Sequence, residues 1–182
     1  RRELKVREGE LYNETRRRQS LENVQRLGFF DEVNFKTSTS PEKPDILNMD
    51  IVVKERNTGQ IQLGAGYGSV TGFTLQGSVN QTNFLGKGQN LGASLNLSDT
   101  GSYYNFTFTE PYFQDTQWSL GTELYQSADN GRSDYDEKRA GGSLSLGHPL
   151  GEDWRGTLRY KLDKTTLTAV NDQAGNPVTD FA

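Results

Sequence analysis

Between residues 60 and 163 apolar side chains return at every second position, in one segment of about nine to eleven residues after another. A period of two places alternate side chains on the two faces of a strand, whereas a helix needs a period of 3.6. In the first segment Ile61, Leu63, Ala65 and Tyr67 share one face, and Gln60, Gln62, Gly64, Gly66 and Gly68 share the other. Phe73, Leu75 and Val79 then oppose Thr74, Gln76, Ser78 and Asn80. Leu91, Ala93, Leu95 and Leu97 oppose Gly92, Ser94, Asn96 and Ser98, and Tyr104, Phe106 and Phe108 oppose Asn105, Thr107 and Thr109. Trp118, Leu120, Thr122 and Leu124 alternate with Ser119, Gly121, Glu123 and Tyr125. A weaker sixth segment sets Leu144 and Leu146 against Ser143, Ser145 and Gly147. The seventh sets Trp154, Leu158, Tyr160 and Leu162 against Arg155, Thr157, Arg159, Lys161 and Asp163. Seven successive strands, each with one apolar and one polar face, are the expectation. Their length is that of a tilted strand crossing a bilayer.

No run approaches the roughly 20 apolar residues of a spanning helix, and mean hydropathy is −0.79. Barrel strands escape that test, because lipid-facing and lumen-facing residues alternate and average to about half polar. The links fit a hairpin series. Asn83 to Gly88, Pro111 to Asp115 and Pro149 to Asp153 read as turns at one end, and the Asp-, Ser- and Gly-rich stretch from Ser127 to Lys138 reads as a longer loop at the other. Phe84, Tyr112, Phe113, Trp118 and Trp154 fall at the first end. Tyr67, Phe73 and Tyr104 fall at the second. Two aromatic girdles at the two membrane interfaces follow, the alternative being aromatics that plug the ends of a soluble barrel.

The first 57 residues are different. Two of the 20 glycines lie there, but 12 of the 20 Lys and Arg do, nearly balanced by 11 acidic residues. Leu21, Val24 and Leu27 recur at three-residue spacing, Gly28 is placed to end a helix over Asn13–Leu27, and Val33 and Phe35 alternate with polar neighbours as a strand. The polar run Thr37 to Asp45, with Pro41 and Pro44, reads as a long hairpin connection. Leu47, Met49, Ile51 and Val53 read as a second strand packed on the same helix. One helix on two strands is a thin core, which points to strand and helix residues missing from the start of this unit.

Little in the chain supports catalysis. Cysteine is absent and His148 is the only histidine, so no Cys- or multi-His metal site and no His-based triad can be assembled. Gly64, Gly66 and Gly68 lie on one face within a strand, not in a strand-to-helix turn that cradles phosphate. Asp134, Asp136 and Glu137 lack calcium-loop spacing. The four Asn-x-Ser/Thr triplets starting at Asn13, Asn80, Asn96 and Asn105 arise in a composition that generates them by chance. The expectation is a non-enzyme with no catalytic residue, metal or cofactor, and neither half forms a basic nucleic-acid surface.

Five segments carry a family resemblance. Arg26-Leu-Gly-Phe-Phe-Asp-Glu-Val33, Val53-Lys-Glu-Arg-Asn-Thr-Gly59, Leu63-Gly-Ala-Gly-Tyr-Gly68, Asn83-Phe-Leu-Gly-Lys-Gly88 and Thr109-Glu-Pro-Tyr-Phe113 resemble, in order, the BamA family of outer-membrane assembly proteins. The resemblance implies an α+β POTRA-like domain over residues 1–56, the last of its series and lacking its first strand. Residues 57–182 are then the opening strands of an antiparallel transmembrane β-barrel, about seven of some sixteen. It implies a bacterial outer-membrane location with the N-terminal part in the periplasm. The implied partners are unfolded outer-membrane protein clients, periplasmic lipoprotein subunits of the assembly complex and outer-membrane lipid. The implied function is insertion and folding of client barrels. A TamA-like or two-partner secretion transporter, passing a polypeptide through the lumen, is the alternative.

The residues suggest how such a protein works. Gln60, Ile61, Gln62, Leu63, Gly64, Ala65, Gly66, Tyr67 and Gly68 form the strand that pairs with the last one to close a barrel. Glycine offers no side chain across that seam. A weak seam opens, and an open seam exposes backbone groups at membrane depth that another strand can satisfy by β-augmentation. The other account of these glycines is that they relieve crowding inside the barrel. A soluble barrel enclosing an apolar ligand is a third class, in which Glu123, Arg159 and Lys161 would face water.

Overall fold

The computed structural model describes residues 2–40, 43–131, 135–151 and 154–168. Pro41, Asp134, Glu152 and Asp153, and the part of the second domain after residue 168, lie outside the described residues. The chain divides into two units, Arg1–Thr58 and Gly59–Ala182.

In the first unit Asn13 caps a helix, α1 (Glu14–Arg26), its side-chain oxygen accepting from the Arg16 amide at 3.1 Å. Gly28, at φ +69°, takes the left-handed position that ends it. Glu14 in the first turn accepts from the Arg17 guanidinium at 2.6 and 2.8 Å and from the Tyr12 hydroxyl. The Arg17 bonds first, then that of Tyr12, hold its carboxyl down at about 2. The helix packs chiefly on β1 (Phe30–Ser40), which pairs antiparallel with β2 (Lys43–Glu55). The core is small: Val24 and Ser20 are the buried residues of the helix. The Ser20 hydroxyl donates to the Arg16 carbonyl at 2.8 Å and accepts from the Lys5 amide at 2.8 Å, tying the preceding segment to the helix.

Two expectations for this unit need correction. Thr37 to Asp45 is mostly strand, since Thr37, Ser38 and Thr39 pair with Met49, Asn48 and Leu47. Thr suits a pleated surface, and an available ladder outweighs low hydrophobicity. Of the four alternating residues on β2, Met49 and Ile51 are half-buried, while Leu47 and Val53 are 38% and 39% exposed, so the face is covered only at its centre.

The second unit is one antiparallel sheet of seven strands in chain order, β3 (Gly59–Gly68), β4 (Gly72–Phe84), β5 (Gln89–Ser98), β6 (Gly101–Glu110), β7 (Ser119–Asp129), β8 (Asp136–Pro149) and β9 (Arg155–Thr168). The sheet is open, with β3 and β9 at its edges. Of the stretch from Ser127 to Lys138, expected as a loop, both flanks are strand, because Ser127, Ala128 and Asp129 pair with Arg139, Lys138 and Glu137. The sixth strand, weak by composition, is accordingly one of the two longest at 14 residues. Trp118 stands just before β7 instead of inside it.

Candidate functional site

From β5 to β9 the ladders run without a register shift, and β4 departs only at its last pair, beside the turn. A slip of one residue would send a whole apolar set to the other face. Instead the apolar sets line up in continuous cross-strand rows. One row is Ile61, Val79, Ala93, Phe106, Leu124, Gly142 and Leu162. The row beside it is Leu63, Gly77, Leu95, Tyr104, Gln126, Ala140 and Lys164.

The limits of the apolar patch cross these rows obliquely. Its upper limit is Tyr67 on β3, Leu97 on β5, Tyr104 on β6, Leu124 on β7 and Leu162 on β9, and its lower limit shifts in the same direction, from Ile61 on β3 to Leu91 on β5 and Leu120 on β7. Both limits step the same way because strands tilted by about 35–45° carry a band of constant height. The opposite face carries Gln62, Gln76, Asn96, Glu123, Lys161 and Arg159. There Ser143 donates to Glu123 at 3.4 Å and the Lys161 ammonium lies 4.9 Å from the centre of the Tyr125 ring.

Gln60 to Gly68, the expected edge residues, lie in β3, whose one neighbour among the described strands is β4, and every residue of β3 but Gly68 is exposed, with Leu63 at 83%. A Cβ added at Gly64 would approach nothing closer than the Gln76 Cβ at 4.0 Å, and one at Gly66 would meet the Thr74 hydroxyl at 3.2 Å. Gly68 is tighter, with the Thr71 hydroxyl at 2.7 Å, and three interior glycines are tighter still. At Gly92, Gly121 and Gly147 an added Cβ would lie 2.4–2.6 Å from a neighbouring hydroxyl.

The aromatic residues fall at the two ends of the sheet. Phe84 ends β4, Tyr112 and Phe113 lie in the turn after β6, Trp118 precedes β7 and Trp154 precedes β9, all at one end. Tyr67 and Phe73 are a directly opposed pair beside the first turn of the other end, where Tyr104 is close to the start of β6. Trp118 packs against His148 with ring centroids 4.5 Å apart and the rings inclined at 47°.

Two ties between neighbouring turns were not anticipated. At one end Glu110 accepts from the Gln89 side chain and from the Tyr112 amide at 3.1 Å. At the other, Asp99 in the β5–β6 turn accepts from the Phe73 amide at 3.0 Å, and the left-handed Gly72 leaves room for that carboxylate. Both join residues more than 20 positions apart, so only the fold brings them together. Among the described residues no cluster of three potential metal ligands forms.

A small α/β unit followed in the chain by an open antiparallel sheet with a tilted apolar band defines an outer-membrane barrel protein with a POTRA domain. The Omp85 superfamily domain matches residues 83–179, and the POTRA family, described as a surface antigen variable number repeat, matches residues 1–56. The outer membrane protein assembly factor BamA of Neisseria meningitidis is 31% identical over 94% of this chain, and that of Nitratidesulfovibrio vulgaris 29% over 95%. The crystal structure of BamA from Haemophilus ducreyi lacking POTRA domains 1–3 superposes with a TM-score of 0.75 at 30% identity, covering 91% of this chain and 32% of that one. CdiB from Acinetobacter baumannii shares the fold at a TM-score of 0.56 and 18% identity, covering 92% of this chain and 35% of that one. The chain belongs to the Omp85 superfamily and, within it, to the BamA family of the bacterial outer membrane. It spans 22% of the length of each of the two curated relatives.

Proposed function

We propose that this protein inserts and folds client β-barrel proteins in the outer membrane, with β3 as the strand on which a client strand is templated. One observation carries the reading: β3 is an exposed edge, and at its centre an added Cβ at Gly64 would meet nothing of β4 closer than the Gln76 Cβ at 4.0 Å. An edge with unpaired N–H and C=O groups at membrane depth is stabilised by any strand that completes the ladder. Lost side-chain contacts across the seam lower the cost of exposing it.

In this reading residues 1–56 are a POTRA domain on the periplasmic side, which receives clients with the help of lipoprotein subunits, and residues 57–182 begin the barrel. The apolar band meets lipid, and the aromatic residues at its two ends sit at the two interfaces. Spin labels check the orientation: a lipid-soluble quencher reaches Leu75 and Leu95 more readily than Gln76 and Asn96, and the reverse order overturns it.

The mechanism is tested by pairing Leu63→Cys or Ala65→Cys with a cysteine on the strand that closes against β3, where the Cα atoms come within about 7 Å. Oxidised protein in liposomes loses client insertion and reductant restores it, while a crosslink between β5 and β6 has no effect. Full insertion by a verified, oxidised seam crosslink eliminates the lateral mechanism and leaves passage of a polypeptide through the lumen.

A further inference from the structure

On the apolar face, charge occurs among the described strand residues at four places: Glu110 at the turn end of β6, and Asp136, Lys138 and Lys164 at the far ends of β8 and β9. Their faces are set by pairing. Lys138 opposes Ala128 and Thr166, and Lys164 opposes Ala140, in ladders without a register shift, so both lysines share the side of Leu124, Leu144 and Leu162.

Ala140 is the centre of the arrangement. Gln126 lies directly across from it on β7, Lys164 directly across on β9, and Lys138 two positions along β8. Directly opposed Cβ atoms are about 4.5–5.5 Å apart and residues two apart on a strand about 7 Å. Two lysines and a glutamine are therefore the same-face neighbours of one small side chain. All four residues are exposed, and neither lysine has an ion pair with a described residue. Asp136, two positions beyond Lys138 and farther from the band, leaves the group net positive. The cluster begins two positions beyond Leu124 and Leu162, where the apolar band ends. A lysine stem there lies along apolar surface while its head reaches the polar layer.

We propose that Gln126, Lys138 and Lys164 bind the phosphate of an anionic lipid headgroup at the leaflet boundary over β7–β9. The proposal rests on the reading that the apolar face meets lipid. Charge and depth select the ligand: two of the three donors are cationic, and all face the bilayer and stand at headgroup level, where each lysine near an anionic surface strengthens association about fivefold.

The test is native mass spectrometry of the intact protein in detergent, titrated with phosphatidic acid, phosphatidylcholine or inorganic phosphate. Phosphatidic acid is retained in preference to phosphatidylcholine, and K138Q/K164Q weakens its retention about thirtyfold. R155Q/R159Q, which removes two cations from the polar face, leaves it unchanged. Unchanged retention in both double variants overturns the site while the membrane orientation stands. Loss in R155Q/R159Q with retention in K138Q/K164Q overturns the orientation as well. Displacement of the lipid by an equal concentration of inorganic phosphate shows a simple anion site and overturns headgroup recognition.

Discussion

Glycine has opposite meanings in the first strand of the sheet and in its last three. On β3 a side chain at Gly64 would find open space, with the nearest atom 4.0 Å away. On β8 a Cβ at Gly141 would lie 2.3 Å from the Asp163 carboxylate, 2.6 Å from the Leu162 carbonyl oxygen and 2.7 Å from the Tyr125 hydroxyl. Gly141 is a place into which neighbours pack, while Gly64 is a place where nothing packs among the described residues. The strands differ in length as well, 10 residues in β3 against 14 in β8 and β9. A sheet can thus be firm along one part and soft along one edge, with the same residue type used for both.

The sharpest way to break this comparison is to add one methyl group at each position. Gly141→Ala forces Asp163, Tyr125 or the β9 backbone aside and lowers stability by about 1–3 kcal/mol, the usual cost of overpacking. Gly64→Ala meets no obstacle and restricts the unfolded chain, so stability rises by about 0.4–1 kcal/mol, while client insertion slows. Urea unfolding of the intact protein in vesicles gives both values. Equal destabilisation by the two substitutions would remove the distinction.

Tyr125 provides a smaller, cleaner probe of the firm part. It stands directly opposite Gly141 with its ring under the Lys161 ammonium, and its hydroxyl, beside Gly141, is buried without a hydrogen-bond partner among the described residues. An aromatic laid over a glycine replaces the packing that the glycine lacks. Tyr125→Ala lowers stability by about 1 kcal/mol through the lost cross-strand contact. Tyr125→Phe keeps the ring, removes an unsatisfied polar atom, and changes stability by less than about 0.5 kcal/mol. If the Phe variant falls as far as the Ala variant, the hydroxyl and not the ring supports this part of the sheet.

How much of this was legible without coordinates depended on the range of the interaction. Alternation in residues such as Ile61 to Tyr67 and Leu91 to Leu97 is a property of one strand, so the seven strands and the division between faces were visible directly. Strand ends were not. Ser127 to Asp129 and Thr37 to Thr39 look like loop by composition, and their extended state is decided by partners elsewhere in the chain. Gly64 and Gly141 are indistinguishable as letters. What separates them is Asp163, Leu162 and Tyr125, contributed by neighbouring strands. The turn ties of Glu110 and Asp99 were missed for the same reason, although an isolated Asp in a two-residue turn beside a glycine-led strand is a weak clue.

The Asp99 tie sharpens the comparison within the soft edge itself. The Phe73 amide, at the start of β4, donates to the Asp99 carboxylate in the β5–β6 turn, so the hairpin of β3 and β4 is held to the next hairpin at one end. Loss of that tie loosens first the end that it fastens. Asp99→Ala removes a charge-assisted bond worth about 1.5–3 kcal/mol at most, and solvent exposure at the turn reduces that to a smaller effect than the two changes above. Hydrogen exchange resolves it by position: the amides of Phe73, Tyr67 and Gly68 exchange faster in Asp99→Ala, while those of Ile61 and Leu63 do not change. Uniform acceleration along β3 would show that the edge opens as a whole, with Asp99 acting on the stability of the entire hairpin and not on the direction in which it comes apart.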